Sequence, residues 1–346
     1  MRPEAAEAQA IFTGTRYRAR MTFDFRKPQV HPFGVRLRVS VLALVFVAST
    51  SVGAQRDRAT PSDLQGTWSG GTLTPLQRPD AFKDKSAFTP EEAADWVRHA
   101  ADRLASRLPS DTDRLFQPDV DDTYVEFEAM PLDGLRTSLI VDPPDGRLPP
   151  LLPQAQARIA ARPKRTFEDP ETLTLTERCL VGNPPIGGSS AIPPLLPGMA
   201  FANYFQIVQT DRHVMIFSEI YHDVRVVRLN GVHLPDTITQ WLGDSIGRWE
   251  GPTLVVDTTN FRADTHNADS SDRLHVVERF TRIDQNTLRY QVTVEDPQTW
   301  PRPWTAEWPF LATSNRLFET ACHEGNYSVE NTLRGARAEE QRQLQR

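Results

Sequence analysis

Cysteine is almost absent from this chain: its 346 residues include two, Cys179 in TERCLVG and Cys322 in ETACHEG. No CxxC pair for a structural zinc is present, and HExxH fails because Tyr327 stands at its last position. Long apolar runs are missing too. The strongest, at residues 39–48, is shorter than the roughly 18–20 residues that a membrane-spanning helix needs. Uninterrupted helix-forming sequence is scarce, because 28 prolines are spread along the chain. Each interior proline removes a backbone donor and clashes with the preceding turn, which argues against a mostly helical protein.

Positive charge is concentrated at the start. Residues 1–54 hold eight Lys/Arg and three Asp/Glu, leaving 31 basic and 42 acidic groups in the rest. A body with a net charge of −11 is a poor partner for nucleic acid, which is bound through clustered Lys and Arg. The hydrophobic share of 39% is ordinary for a globular chain and allows one or two domains.

The chain starts with a leader pattern. Arg36 and Arg38 precede the apolar run, and small residues follow up to Val52-Gly53-Ala54. This reads as an export signal cleaved after Ala54, with Met21 a plausible start for a leader of normal length. No cysteine near the cleavage point offers a lipid anchor. The expected division is a leader at 1–54, an N-terminal helix and strand segment at 55–165, an antiparallel β domain at 166–335 and a polar tail at 336–346. The expected location is periplasmic or secreted. In such an oxidising compartment two cysteines pair, so Cys179 and Cys322 are expected to form a disulfide.

In the N-terminal segment, DLQGTWSGGTLTPL reads as a first strand. FTPEEAADWVRHAADRLASRL reads as a helix, with Thr89 as N-cap, Pro90 at the first position and Glu92 closing a capping box. RTSLIVD is a strand and LPQAQARIAAR a short helix. Residues 182–198, GNPPIGGSSAIPPLLPG, form a long Pro/Gly loop of the kind that covers or lines a site. Ser189 lies there in G-x-S-x-A, but a nucleophile elbow needs a strand before it and a helix after it, and prolines flank this loop.

From residue 203 the apolar period is two. NYFQIVQT, HVMIFSE, IYHDVRVVRL, TLVVDTTNF, LHVVERFTRI, TLRYQVTVED, PWTAEWPFLA and LFETACHE read as consecutive strands with turn-like separators. The fold class is therefore mainly β: an antiparallel meander closing into a calycin-like barrel, with N-terminal helices packed on it. A curved open sheet is the second architecture.

Several stretches together resemble a group of exported, β-rich proteins of environmental bacteria: ERCLVGNPPIGGSSAIPPLLPG, QWLGDSIGRWEGPTLVVDTTNF, LHVVERFTRID, LRYQVTVEDPQTW with RPWT, and ACHEGNY. The resemblance spans roughly residues 63–340 and implies export and a β-rich body, with no activity attached. The chain departs from the pattern at Ile246 and Pro252, where Arg and Asp are expected. GTWSG and GRWEG give a looser resemblance to lipocalin-like and nitrobindin-like barrels, without a matching haem-binding pattern.

Strand alternation selects polar residues on apolar faces. Glu278 shares a phase with Leu274, Val276 and Phe280; His222 with Ile220, Val224 and Val226; Glu219 with Met215 and Phe217. A buried carboxylate beside a neutral imidazole is a workable acid–base couple. In that reading His222 and Glu278 are the pair, and Glu219 or His323 orients it. The structural alternative is that Glu278 pairs with a buried arginine, Arg225 or Arg289, and that His222 bonds a backbone carbonyl. A metal held by His222, Glu278 and His323 is chemically possible, but no spacing supports it, and neither metal nor cofactor is expected. Trp241, Trp249, Tyr290 and Asn260 are candidate ligand contacts, the tryptophans at a barrel mouth. The expected function is an exported barrel binding a small, partly apolar molecule. The alternative is a small-molecule lyase, isomerase or hydrolase built on the His/Glu pair, and a pocketless envelope protein is third.

Overall fold

The computed structural model describes residues 63–100, 132–162, 167–181, 191–197, 203–263, 269–319 and 321–346. The leader, the loop carrying Ser189, and the first helix beyond residue 100 lie outside the described residues. No helix among those described is long and apolar enough to cross a membrane.

Alternation becomes sheet wherever one phase is apolar. The strands are β1 (Gly66–Ser69), β2 (Ile140–Asp142), β3 (Tyr204–Gln209), β4 (His213–Ser218) and β5 (Val224–Leu229). They continue with β6 (Asp244–Glu250), β7 (Thr253–Thr259), β8 (His275–Arg282), β9 (Thr287–Glu295) and β10 (Trp304–Ala312). Their order is β1-β3-β4-β5-β6-β7-β8-β9-β10-β2, and β1 also pairs with β10. Nine strands thus close into a barrel, and β2 adds to β10 outside the ring. Strands β1 and β2 come from the 55–165 segment, so that segment and the β domain share one sheet.

One junction departs from a simple meander. Strands β5 and β6 run parallel, in register only at Arg228↔Ile246 and Leu229↔Gly247. Asn230-Gly231, expected to turn a hairpin, instead starts a crossover over residues 230–243. Parallel neighbours need such a connection, because the chain must return to the same end before the next strand begins. The stretch QWLGDSIGRWEG, which is not among the expected strands, contains β6. A Cβ on Gly247 would approach Val227 Cγ1 to 2.7 Å, so the parallel seam requires glycine there. The next turn, Gly251-Pro252, is a two-residue hairpin in which Gly251 supplies φ +60°.

The C-terminal strand expected at LFETACHE does not form. Residues 313–319 and 321–326 are irregular, and helix α3 (Tyr327–Leu344) follows, with no buried residue. It includes most of the stretch expected as a polar tail. Helix α1 (Pro90–Arg98) has the expected capping box, with Thr89 Oγ1 accepting from the Glu92 amide at 3.2 Å and Glu92 Oε2 accepting from the Thr89 amide at 2.8 Å. Helix α2 (Pro153–Ala160) is also where LPQAQARIAAR placed it. Cys179 and Cys322 form the expected disulfide, tying residues 143 positions apart. Closing a loop that long removes chain entropy from the unfolded state worth roughly 4–5 kcal/mol.

The core lies inside the ring and is dominated by aromatic side chains. Tyr290 on β9 packs against Trp308 at 4.8 Å and Phe310 at 4.9 Å between ring centroids, and Phe205 stacks on Phe310 at 5.6 Å. Ala191, Ile192 and Leu195 of the Pro/Gly loop are fully buried, and the Leu195 amide donates to Tyr290 Oη at 3.0 Å. That segment therefore packs into the interior instead of passing over the surface.

Candidate functional site

Glu278 occupies the inward face of β8 between Val276 and Phe280, as its strand phase requires, and is 0% exposed. Arg225, inward on β5, meets it from across the barrel. Arg225 Nη1 lies 2.5 Å from Glu278 Oε2, Nη2 lies 3.0 Å from Oε1, and Tyr290 Oη donates to Oε1 at 2.8 Å. Both carboxylate oxygens are occupied by donors, and the guanidinium grips them as a bidentate pair. The structural alternative for Glu278 is the one that forms, with Arg225 as its partner. Tyr290 is held well above the usual phenol range, first by burial and next by the Glu278 charge.

His222 does not lie on a strand. It ends a single 3-10 turn over Ile220–His222, in which Tyr221 has φ 55°. The alternation that put it beside Val224 and Val226 therefore does not apply; its side chain lies outside the described residues. Glu219 is displaced for a different reason. The buried phase of β4 is Val214, Ile216 and Ser218, so Glu219 continues the outer phase. Its Oε1 accepts from the Phe318 amide at 2.8 Å, fastening the chain after β10. His323 is exposed in the turn between the disulfide and α3, away from any strand. Glu278, Glu219 and His323 therefore do not come together.

The expected ligand contacts divide in the same way. Tyr290 is in the interior. Trp241 and Trp249 are half-buried and pack against the core, and the Arg262 guanidinium stacks on Trp241 at 4.1 Å. Asn260, at φ 56°, donates from Nδ2 to the carbonyls of Leu234 and Pro235 at 3.0 Å and of Ile238 at 3.3 Å. It fixes the crossover and has no further amide proton to offer.

The interior holds three donors without an acceptor among the described residues: Arg225 Nε, Trp304 Nε1 and Trp308 Nε1. Trp304 and Trp308 are both 0% exposed and point inward from β10, with the small Ala306 between them on the same face. Register connects the three groups. Ala306 pairs with Val292, which pairs with Glu278, the carboxylate that Arg225 grips. The Ala306 layer thus lies at the level of the ion pair, with an indole on either side of it.

A second polar cluster lies on the outer face, and the sequence reading missed it. Arg228 on β5 grips Asp244 on β6 at 2.7 and 3.2 Å. His233, from the crossover, places Nδ1 2.9 Å from Asp244 Oδ2 and Nε2 3.1 Å from Asp257 Oδ1. His275 on β8 places Nε2 3.0 Å from the same Asp257 oxygen and Nδ1 3.5 Å from Glu295 Oε2 on β9. The side chain of Asp244 is 1% exposed, while His233, Asp257 and His275 are each about a third exposed or less. Burial pushes the Asp244 carboxyl up, but Arg228, the Leu234 amide and His233 together hold it below its ordinary value. The His275 hydrogen bond holds Asp257 low, and the same bond holds His275 above the usual imidazole range. These residues occupy outward phases where charge is expected, so alternation gave no signal; the sheet register and the crossover bring them together. Among the described residues, no group of three or more His, Cys, Asp or Glu is arranged to hold a metal ion.

Compared with protein-family models, curated proteins and solved structures, the chain has no match in any of the three.

Proposed function

We propose that this chain is an exported β-barrel protein that binds a small, partly apolar molecule inside its barrel, through an acceptor group such as a carbonyl or carboxylate. The observation that carries this reading is the set of unpartnered N–H groups on Arg225, Trp304 and Trp308. A buried donor without an acceptor costs roughly 1–3 kcal/mol, so three in one core favour a partner that supplies acceptors. The aromatic walls around them suit an apolar body, and a nine-stranded ring is in the size range where barrels hold one small ligand. Export is supported by the leader pattern and by the disulfide.

The enzyme reading based on Glu278 has less support, because Arg225 and Tyr290 occupy both of its oxygens. The test is native mass spectrometry of the protein purified from its own host. An adduct of a few hundred daltons that leaves on unfolding, and that Trp304→Phe with Trp308→Phe abolishes, is the expected result. A bare polypeptide mass in every preparation rejects the reading.

A further inference from the structure

The outer-face cluster forms one chain of alternating charge: Arg228, Asp244, His233, Asp257, His275, Glu295. It crosses β5, β6, the crossover, β7, β8 and β9. His233 is the only member that belongs to a connection instead of a strand, and it is gripped from both ends. The connection it belongs to bridges the parallel seam, where β5 and β6 meet at only two register positions. Asn260 holds the following turn of the same connection through three carbonyls.

We propose that His233 and His275 form a proton-operated latch that fastens the crossover, residues 230–243, over the β5–β6 seam. A carboxylate oxygen only accepts, so every bond from these rings takes a proton on the ring nitrogen. The doubly protonated rings satisfy Asp244 and Asp257 through His233, and Asp257 and Glu295 through His275. When a ring gives one proton to solvent, one of its two bonds becomes a contact between a lone pair and a carboxylate, which is repulsive. Losing either bond of His233 removes one of the crossover's side-chain fastenings to β6 or to β7, leaving the Leu234 amide on Asp244, Arg228 on the Val232 carbonyl and Asn260 to hold it. Losing His275's bond to Asp257 leaves that carboxylate, among the described residues, with His233 of the crossover as its one remaining ion-pair partner. Among the described residues, the charged groups facing the two rings are Asp244 on β6, Asp257 on β7 and Glu295 on β9, with Arg228 from β5 behind Asp244. Among the described residues no positive side chain faces either ring directly; burial opposes protonation of His275, and its bonds to Asp257 and Glu295 outweigh that.

Amide hydrogen exchange read by mass spectrometry tests this on the full mature chain. Protection of peptides within residues 230–243 is compared at about pH 6 and about pH 9, after correction for the intrinsic pH dependence of exchange. The expected result is a loss of protection of about tenfold or more at the higher pH, confined to the crossover, while β8 and β9 hold theirs. His233→Gln is expected to leave the crossover weakly protected at both pH values, and His275→Gln to flatten the pH dependence. Equal protection of the wild-type crossover at both pH values overturns the latch, whether or not the variants fold. Unchanged pH dependence in both variants overturns it as well.

Discussion

Arg225 and Glu278 reach each other across the barrel interior from β5 and β8, 2.5 Å apart at their closest atoms and both essentially unexposed. Neither strand hydrogen-bonds the other, so the pair is a crosslink through the core, set at the level of the parallel seam. It crosslinks the nine-stranded ring near one of its two shortest pairings, the other being β1 with β10.

Breaking that pair from one side is expected to be severe. Glu278→Gln leaves a guanidinium buried without its counter-charge, and a loss of about 3–5 kcal/mol is expected. Replacing both partners together, Arg225→Met with Glu278→Leu, removes the desolvation cost and is expected to recover most of that loss. Urea midpoints of the two variants check this. A double variant as unstable as the single one contradicts the assignment.

Tyr290→Phe tests the attachment of the Pro/Gly loop. The hydroxyl donates to Glu278 and accepts from the Leu195 amide, and its removal strands a buried backbone donor. A loss of about 1–3 kcal/mol is expected, with faster amide exchange at residue 195 than in the wild type. Unchanged exchange there would show that the loop is held by its apolar contacts alone.

The fold was largely legible from alternation. Strands β3, β4, β7, β8, β9 and β10 lie within the stretches whose period is two, and the disulfide follows from the cysteine count. What failed did so for identifiable physical reasons. In β6, the inward residues Ser245, Gly247 and Trp249 do not form an apolar phase, because at the seam a side chain at 247 would run into Val227. In β4 both phases are apolar, so alternation could not tell which one faced inward, and Glu219 was assigned to the wrong side. The 3-10 turn at His222 contains neither glycine nor proline, so nothing local announced it. Glu278 was found because a charge on an inward phase is visible in sequence. The outer cluster was not, because it depends on pairing between strands far apart in the chain.

The pH dependence of stability follows from the signs of the shifts. His275 is raised above 6.5, so its contribution is complete below that value and is lost as pH rises through the folded one. Asp257 and Asp244 are lowered below 3.8, so theirs is complete above that value and is lost as pH falls through the folded ones. The urea midpoint is expected to be highest between 3.8 and 6.5 and to decline on the alkaline side. His275→Gln is expected to flatten that alkaline limb, and an unchanged limb would assign it to another group.

Removing the crosslink between Cys179 and Cys322 by Cys179→Ser with Cys322→Ser is expected to cost about 2–5 kcal/mol in the urea midpoint analysis. Neither cysteine belongs to a strand, although β3 to β10 lie within the loop the bond closes, so the native β-sheet circular dichroism should persist in the absence of denaturant. Loss of the sheet signal would mean that the bond is required for closure itself.

The central claim concerns what the interior donors bind, and their own resonances report it most directly. The indole N–H signals of Trp304 and Trp308, assigned through Trp304→Phe and Trp308→Phe, are compared in protein taken from its host and in the same protein after unfolding, washing and refolding. Both signals are expected to move once the bound acceptor has been washed away, and to return when the extracted small-molecule fraction is added back. Identical spectra before and after would contradict it.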